Sequence, residues 1–96
     1  QEDHNSMGSI AARKCFQILK NVQVVLAIEI LTACQGLDFH KPMKPGLGNQ
    51  IAFNTIRKKI HPLENDRIIY KDIESVKSFL FENILLNEVT KKIKLQ

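Results

Sequence analysis

The sequence predicts an all-α protein: a long central helix followed by three shorter C-terminal helices, together forming part of a larger helical bundle protein. Three observations predict this class. No run alternates apolar and polar residues for long enough to make a strand. Between Ile10 and Leu37 there is no proline and Gly36 is the only glycine, so nothing breaks a helix there. Further along, apolar residues recur at three- and four-residue spacing, as in Ile73, Val76 and Leu80.

The long helix is expected to start at Asn5, Ser6 or Ser9, each able to cap free backbone amides, and to stop at Gly36. Its first half is amphipathic. Cys15, Phe16, Leu19, Val22 and Leu26 form the apolar face, and Arg13, Lys14, Gln17, Lys20 and Asn21 the wet one. From Val22 to Cys34 only Gln23, Glu29 and Thr32 are polar, which suits a deep core or a membrane. A membrane span needs about 20 largely uncharged residues, and Glu29 interrupts a shorter run, so the segment reads as a buried core helix. Glu29 itself is expected to be buried or at a subunit contact. Ser9 to Gln35 would span roughly 40 Å, whereas a compact chain of this size has a radius of gyration of about 12–13 Å. Such a rod requires partners beyond the rest of this chain.

Residues 39–48 read as a connector, with Pro42, Pro45, Gly46 and Gly48. They separate an active-site head and core helix (1–38) from a C-terminal helical segment (49–96). Asn49 is expected to cap a second helix to Ile60, with Ala52, Phe53, Ile56 and Ile60 inward and Pro62 closing it. Leu63 to Ile69 reads as a loop whose Glu64, Asp66 and Arg67 pair or face water. Asp72 then caps a third helix to about Glu82. Asn83 turns the chain into a fourth helix with Leu85, Leu86, Val89 and Ile93 inward.

Composition sets further bounds. The 96 residues are 44% hydrophobic and 25% charged, as in an ordinary soluble domain, and suffice for one small unit. The polar, acidic opening does not fit a secretory signal. Cys15 and Cys34 lie about 28 Å apart on a continuous helix, too far for a disulfide. They read as buried structural thiols in a reducing, cytoplasmic setting. The net charge of +4 comes from Lys41, Lys44, Arg57, Lys58 and Lys59, in a stretch without acids. Arg57-Lys58-Lys59 reads as a solvated helix end. No aromatic or recognition motif accompanies it, so nucleic-acid binding is not expected. His4, His40 and His61 lack metal-ligand spacing, and no metal is expected.

The head carries the chemistry. Gln1 and Glu2 stand just before the long helix, where the positive end of the dipole favours an anionic Glu2. On residue type alone, Glu2 and Asp3 read as common first-turn acids placed for the dipole. Gln1-Glu2-Asp3-His4-Asn5-Ser6-Met7-Gly8, continued by Ala11-Ala12-Arg13-Lys14, closely resembles the signature of the histidine ammonia-lyases, in the aromatic amino acid ammonia-lyase family. The likeness extends through Val25 to Leu31, Ala33-Cys34-Gln35-Gly36, Phe39, Pro42, Lys44, Asp66-Arg67 and Asp72-Ile73-Glu74, and is weakest beyond Glu82. Related phenylalanine lyases carry Asn-Gln-Asp-Val where this chain has Gln-Glu-Asp-His. Asn5 is the one departure toward that branch.

The resemblance implies the C-terminal part of a large, mainly helical homotetramer that converts L-histidine to trans-urocanate and ammonia. Its electrophile, a methylidene-imidazolone (MIO), forms from an internal Ala-Ser-Gly that is absent here. Tyr70 and Arg13 do not match the family's catalytic tyrosine and carboxylate-binding arginine. Gln1 and Glu2 alone carry over, as residues facing the substrate's imidazole, with Glu2 binding the ring or assisting proton transfer. The isolated chain is therefore expected to be inactive. The competing expectation is a catalytically silent all-α assembly module, in which the head only caps a helix.

Overall fold

Four helices follow one another in the computed structural model, which describes residues 2–94 and, in the first turns, side chains from Met7 onward: α1 (Glu2–Phe39), α2 (Leu47–Arg57), α3 (Ile69–Phe81) and α4 (Ile84–Thr90). No strand occurs among the described residues. The all-α expectation holds.

α1 is one unbroken helix of 38 residues. It opens at Glu2 rather than at Asn5, Ser6 or Ser9, because the head residues join the helix instead of capping it. Nor does Gly36 stop it. No glycine has positive φ, so Gly36 stays in helical geometry and α1 continues to Phe39. Pro42 then disfavours helical geometry at Lys41, and the chain leaves through turns closed by His40 N–H to Leu37 O and Met43 N–H to His40 O.

α3 packs against α1, and α4 packs on both α2 and α3. The core gathers Ala27 and Cys34 of α1, Phe53 and Ile56 of α2, Ile60, and Val76 and Phe79 of α3. Ile56 and Val76 are its largest fully buried side chains. α2 begins at Leu47, with Gln50 N–H closing the first turn on Gly46 O, so Asn49 lies inside the helix and is not its cap. Gly48 lets α2 approach the end of the chain closely: a Cβ there would meet Ile93 Cδ1 at 3.1 Å, so that side chain would have to shift. α2 ends at Arg57, and a turn carries the chain on to Ile60. α3 begins at Ile69, three residues ahead of Asp72, which sits in its first turn and pairs with Arg67. Asn83 takes the left-handed conformation (φ 57°) that starts α4. Of the expected inward residues there, Leu85, Val89 and Ile93 are half-buried, but Leu86 is 50% exposed.

Most of α1 has no cover in this chain. Residues 7–22 are all exposed, including Ile10, Phe16, Ile18 and Leu19. In length and composition, Met7–Phe39 would also suffice to cross a membrane, and only 11% of its most apolar window is buried. Cys15 is exposed, contrary to the expectation of two buried thiols, while Cys34 is buried. Glu29 is exposed as well, so nothing in this chain buries it. Cys15 lies beyond the reach of α2 to α4, whereas Glu29 stands on the face of α1 turned away from the Ala27 and Cys34 core. The radius of gyration is 17.5 Å, with extents of 63 × 38 × 18 Å, well beyond a compact body of this length.

Candidate functional site

The head is held as the first turns of a continuous helix. Gln1 lies outside the described residues, and so does the side chain of Glu2; the backbone of Glu2 opens α1. Helical periodicity of about 3.6 residues per turn then places Ser9, Arg13 and Lys20 on the Glu2 face. Arg13 Nη2 donates to Ser9 Oγ at 3.2 Å, and Lys20 Nζ stands 4.7 Å from the Phe16 ring centroid. Gln17 Nε2 donates to Asn21 Oδ1. Ser9, Arg13 and Lys20 thus share one line of α1, with Phe16 beside it and Lys14, Gln17 and Asn21 to the other side.

At the other end, α1 is clamped. Arg57 donates from Nη2 (2.6 Å) and Nε (3.2 Å) to Asp38 Oδ2, and from Nη1 to Ile60 O at 2.9 Å. Lys41 Nζ lies 3.1 Å from Asp38 Oδ1 as an ion pair without hydrogen-bond geometry, which leaves Oδ1 buried with no hydrogen bond. Burial pushes the Asp38 carboxyl up, but the Lys41 and Arg57 cations outweigh it and hold it below its ordinary value. Both cations also stack on Phe53, at 5.8 Å and 5.4 Å from its centroid. Arg57 is therefore a half-buried, paired residue and not a solvated helix end.

A second tie is reciprocal. Gln35 Nε2 donates to Leu63 O at 3.1 Å, and Leu63 N–H returns a bond to Gln35 Oε1 at 3.0 Å. Arg67 braces the same loop, donating to His61 O, to Pro62 O and to Asp72 Oδ2. These ties frame an open cleft of about 370 Å³ beside Ile28, Leu31, Gln35 and Ile73. A second cleft, about 550 Å³, runs past Cys34, Leu37, His40 and Phe53. Burial pushes the Cys34 thiol up, so it is no ready nucleophile. Cys34 and His40 both line the second cleft, with no hydrogen bond between them among the described residues. Among the described residues no group of three or more His, Cys, Asp or Glu could hold a metal.

The described side chains therefore bring together a structural clamp at one end of α1 and an isolated polar stripe at the other. Sequence reasoning took Arg57 for a solvated helix end and gave Asp38 and Gln35 no structural role. Asp38 and Arg57 are 19 positions apart, a spacing with no helical meaning, and no local signal could have joined them.

Known proteins say what the head belongs to. The histidine ammonia-lyase of Alkaliphilus oremlandii is 47% identical over 96 residues, which is 100% of this chain and 19% of that protein. That of Caldanaerobacter subterraneus subsp. tengcongensis is 48% identical over 92 residues, covering 92% of this chain and 18% of the relative. That of Natranaerobius thermophilus is 44% identical over 93 residues, covering 97% and 18%. The chain thus spans about a fifth of the length of the relatives it matches. No solved structure matches it. Residues 1–58, which hold the head, all of α1 and the Asp38–Arg57 clamp, match the sequence profile of the aromatic amino acid lyases, and the chain belongs to that family.

Proposed function

We propose that this chain is the C-terminal part of a histidine ammonia-lyase and supplies the imidazole-facing wall of its active site. The observation that carries the reading is the full-length match of this short chain to enzymes of that name, together with Gln1-Glu2-Asp3-His4 at the start of α1. The reaction eliminates ammonia from L-histidine to leave trans-urocanate. Glu2 is the residue for the ring: a carboxylate accepts a hydrogen bond or a proton from an imidazole N–H. Gln1 adds an amide that both donates and accepts. A phenyl ring offers neither partner and would leave a desolvated Glu2 unsatisfied, which is why a glutamate here selects against phenylalanine.

The MIO electrophile supplies the activation that expels the amine in the complete enzyme. No Ala-Ser-Gly exists in this chain to form it, so its residues belong to the remainder of the protein. The site is then a shared one, completed by the rest of the enzyme and by other subunits of a homotetramer. The exposed apolar length of α1 supports this reading, since a long helix without cover needs neighbours. Two unpaired cysteines support a cytoplasmic setting.

Steady-state kinetics of the full-length enzyme with histidine and phenylalanine test the proposal. Glu2→Ala should cost on the order of 10²–10⁴ in histidine turnover, the range of a positioned acid–base group. Wild-type histidine turnover in that variant, with assembly intact, overturns it.

A further inference from the structure

Because α1 runs without a break from Glu2, its periodicity decides which residues share the Glu2 face. At about 100° per residue, Ser9 falls roughly 20° to one side of Glu2 and Arg13 roughly 20° to the other. Lys20 returns to the same line five turns on. The opposite sector is apolar, with Met7, Ile18 and Val22. Two cations therefore stand on the Glu2 line, and they are held differently. Lys20 is turned onto Phe16, 4.7 Å from the ring centroid. Arg13 is drawn toward the head by its hydrogen bond to Ser9 Oγ at 3.2 Å. Lys14 lies about a third of a turn off the line. Among the described residues no other element covers the stripe, and residues 7–22 are all exposed.

We infer that Arg13, hydrogen-bonded to Ser9, is a positioning residue for Glu2: a cation on the same helical line of α1 that favours the anionic form of Glu2 in the complete enzyme. The inference rests on the proposed role of Glu2. Seven residues of helix, about 10 Å, separate the Glu2 and Ser9 levels. Unit charges at that distance interact strongly enough in a protein-like dielectric to change an equilibrium about tenfold. Neighbours that cover α1 in the complete enzyme would strip this line of water, and a charge without water needs a partner. The planar guanidinium suits the task, since it stays charged and its fork is pinned by a single hydroxyl.

A double-mutant cycle in the assembled full-length enzyme tests it, with kcat and KM for histidine as readout. Arg13→Ala should lower kcat/KM about tenfold when Glu2 is present and less than about twofold in a Glu2→Gln background. Arg13→Lys, which keeps the charge, should restore most of the loss. Ser9→Ala removes only the tether and should give a smaller loss in the same direction. Equal losses from Arg13→Ala in both backgrounds, or no loss in either, overturn the inference alone. Wild-type kinetics in Glu2→Gln overturn it together with the role of Glu2.

Discussion

Arg57 and Asp38 form a two-bond ion pair, 2.6 Å at its shortest, that joins the end of α2 to the end of α1. Their side chains are only 13% and 12% exposed, and the same guanidinium holds Ile60 O. A largely buried charge left without its partner is costly. Arg57→Ala should therefore destabilise the packing of α2 on α1 by about 3 kcal/mol. Thermal melting of the assembled enzyme checks this, and an unchanged melting temperature would show the pair to be dispensable.

The same pair predicts how stability responds to acid. Asp38 has a folded-state pKa below its ordinary value, so its contribution is complete above the unfolded carboxylate pKa of about 3.9. It is lost as pH falls through the lower, folded value. Asp38→Asn should be less stable than the parent at neutral pH, and the gap should narrow as pH drops below about 4. Denaturation curves at several pH values measure it. A constant gap would mean that Asp38 does not titrate with folding.

Left by itself, this 96-residue chain should associate and show no lyase turnover. Phe16, Ile18, Leu19, Val25 and Leu26 are all exposed along α1, and contiguous apolar surface drives assembly. Sedimentation over a concentration series tests the first expectation and urocanate formation the second. A monodisperse monomer with a sharp cooperative melt would contradict the need for partners.

Glu29 is exposed here among Ile28, Ile30 and Ala33, so any burial it undergoes must come from another part of the enzyme or another subunit. Glu29→Lys should leave the fold of this chain intact and weaken subunit assembly, because a reversed charge at a contact loses its partner. Far-ultraviolet circular dichroism and sedimentation of the full-length variant read the two effects separately. Unchanged assembly would place Glu29 on a free surface.

Much of this was legible beforehand, and the misses have physical reasons. Phe53, Ile56, Ile60 and Val76 announced themselves by helical spacing, because packing against one neighbour imposes that period. The ends were harder. Asn49 and Asp72 look like caps, yet α2 and α3 begin upstream of them, where Gly46 and Ile68 give the chain its change of direction. Gly36 looks like a stop, but the glycine is optional in a helix whose next turn is anchored by Asp38. Cys15 reads as buried from an apolar surround, and Glu29 as buried or at a subunit contact. Sequence reports the cover a residue needs, and this chain alone does not contain that cover. The head was readable as a motif through Gln1 and Glu2, while the Ser9–Arg13 bond needed the register of a continuous α1.

A rod clamped at one end behaves as a lever. α1 is about 57 Å long, and α2 to α4 grip only its final turns. A tilt of about 5° at the clamp would swing Glu2 by roughly 5 Å, when misplacement by about 1 Å suffices to cost two orders of magnitude in rate. Precision at the head therefore cannot be set from the clamped end. It must be imposed sideways, turn by turn, by whatever lies along Ile10, Phe16, Ile18 and Val22. On the proposed role of the head, the bare apolar flank of α1 and the accuracy of Glu2 are then one requirement, and a distant substitution would blunt turnover simply by letting the rod bow.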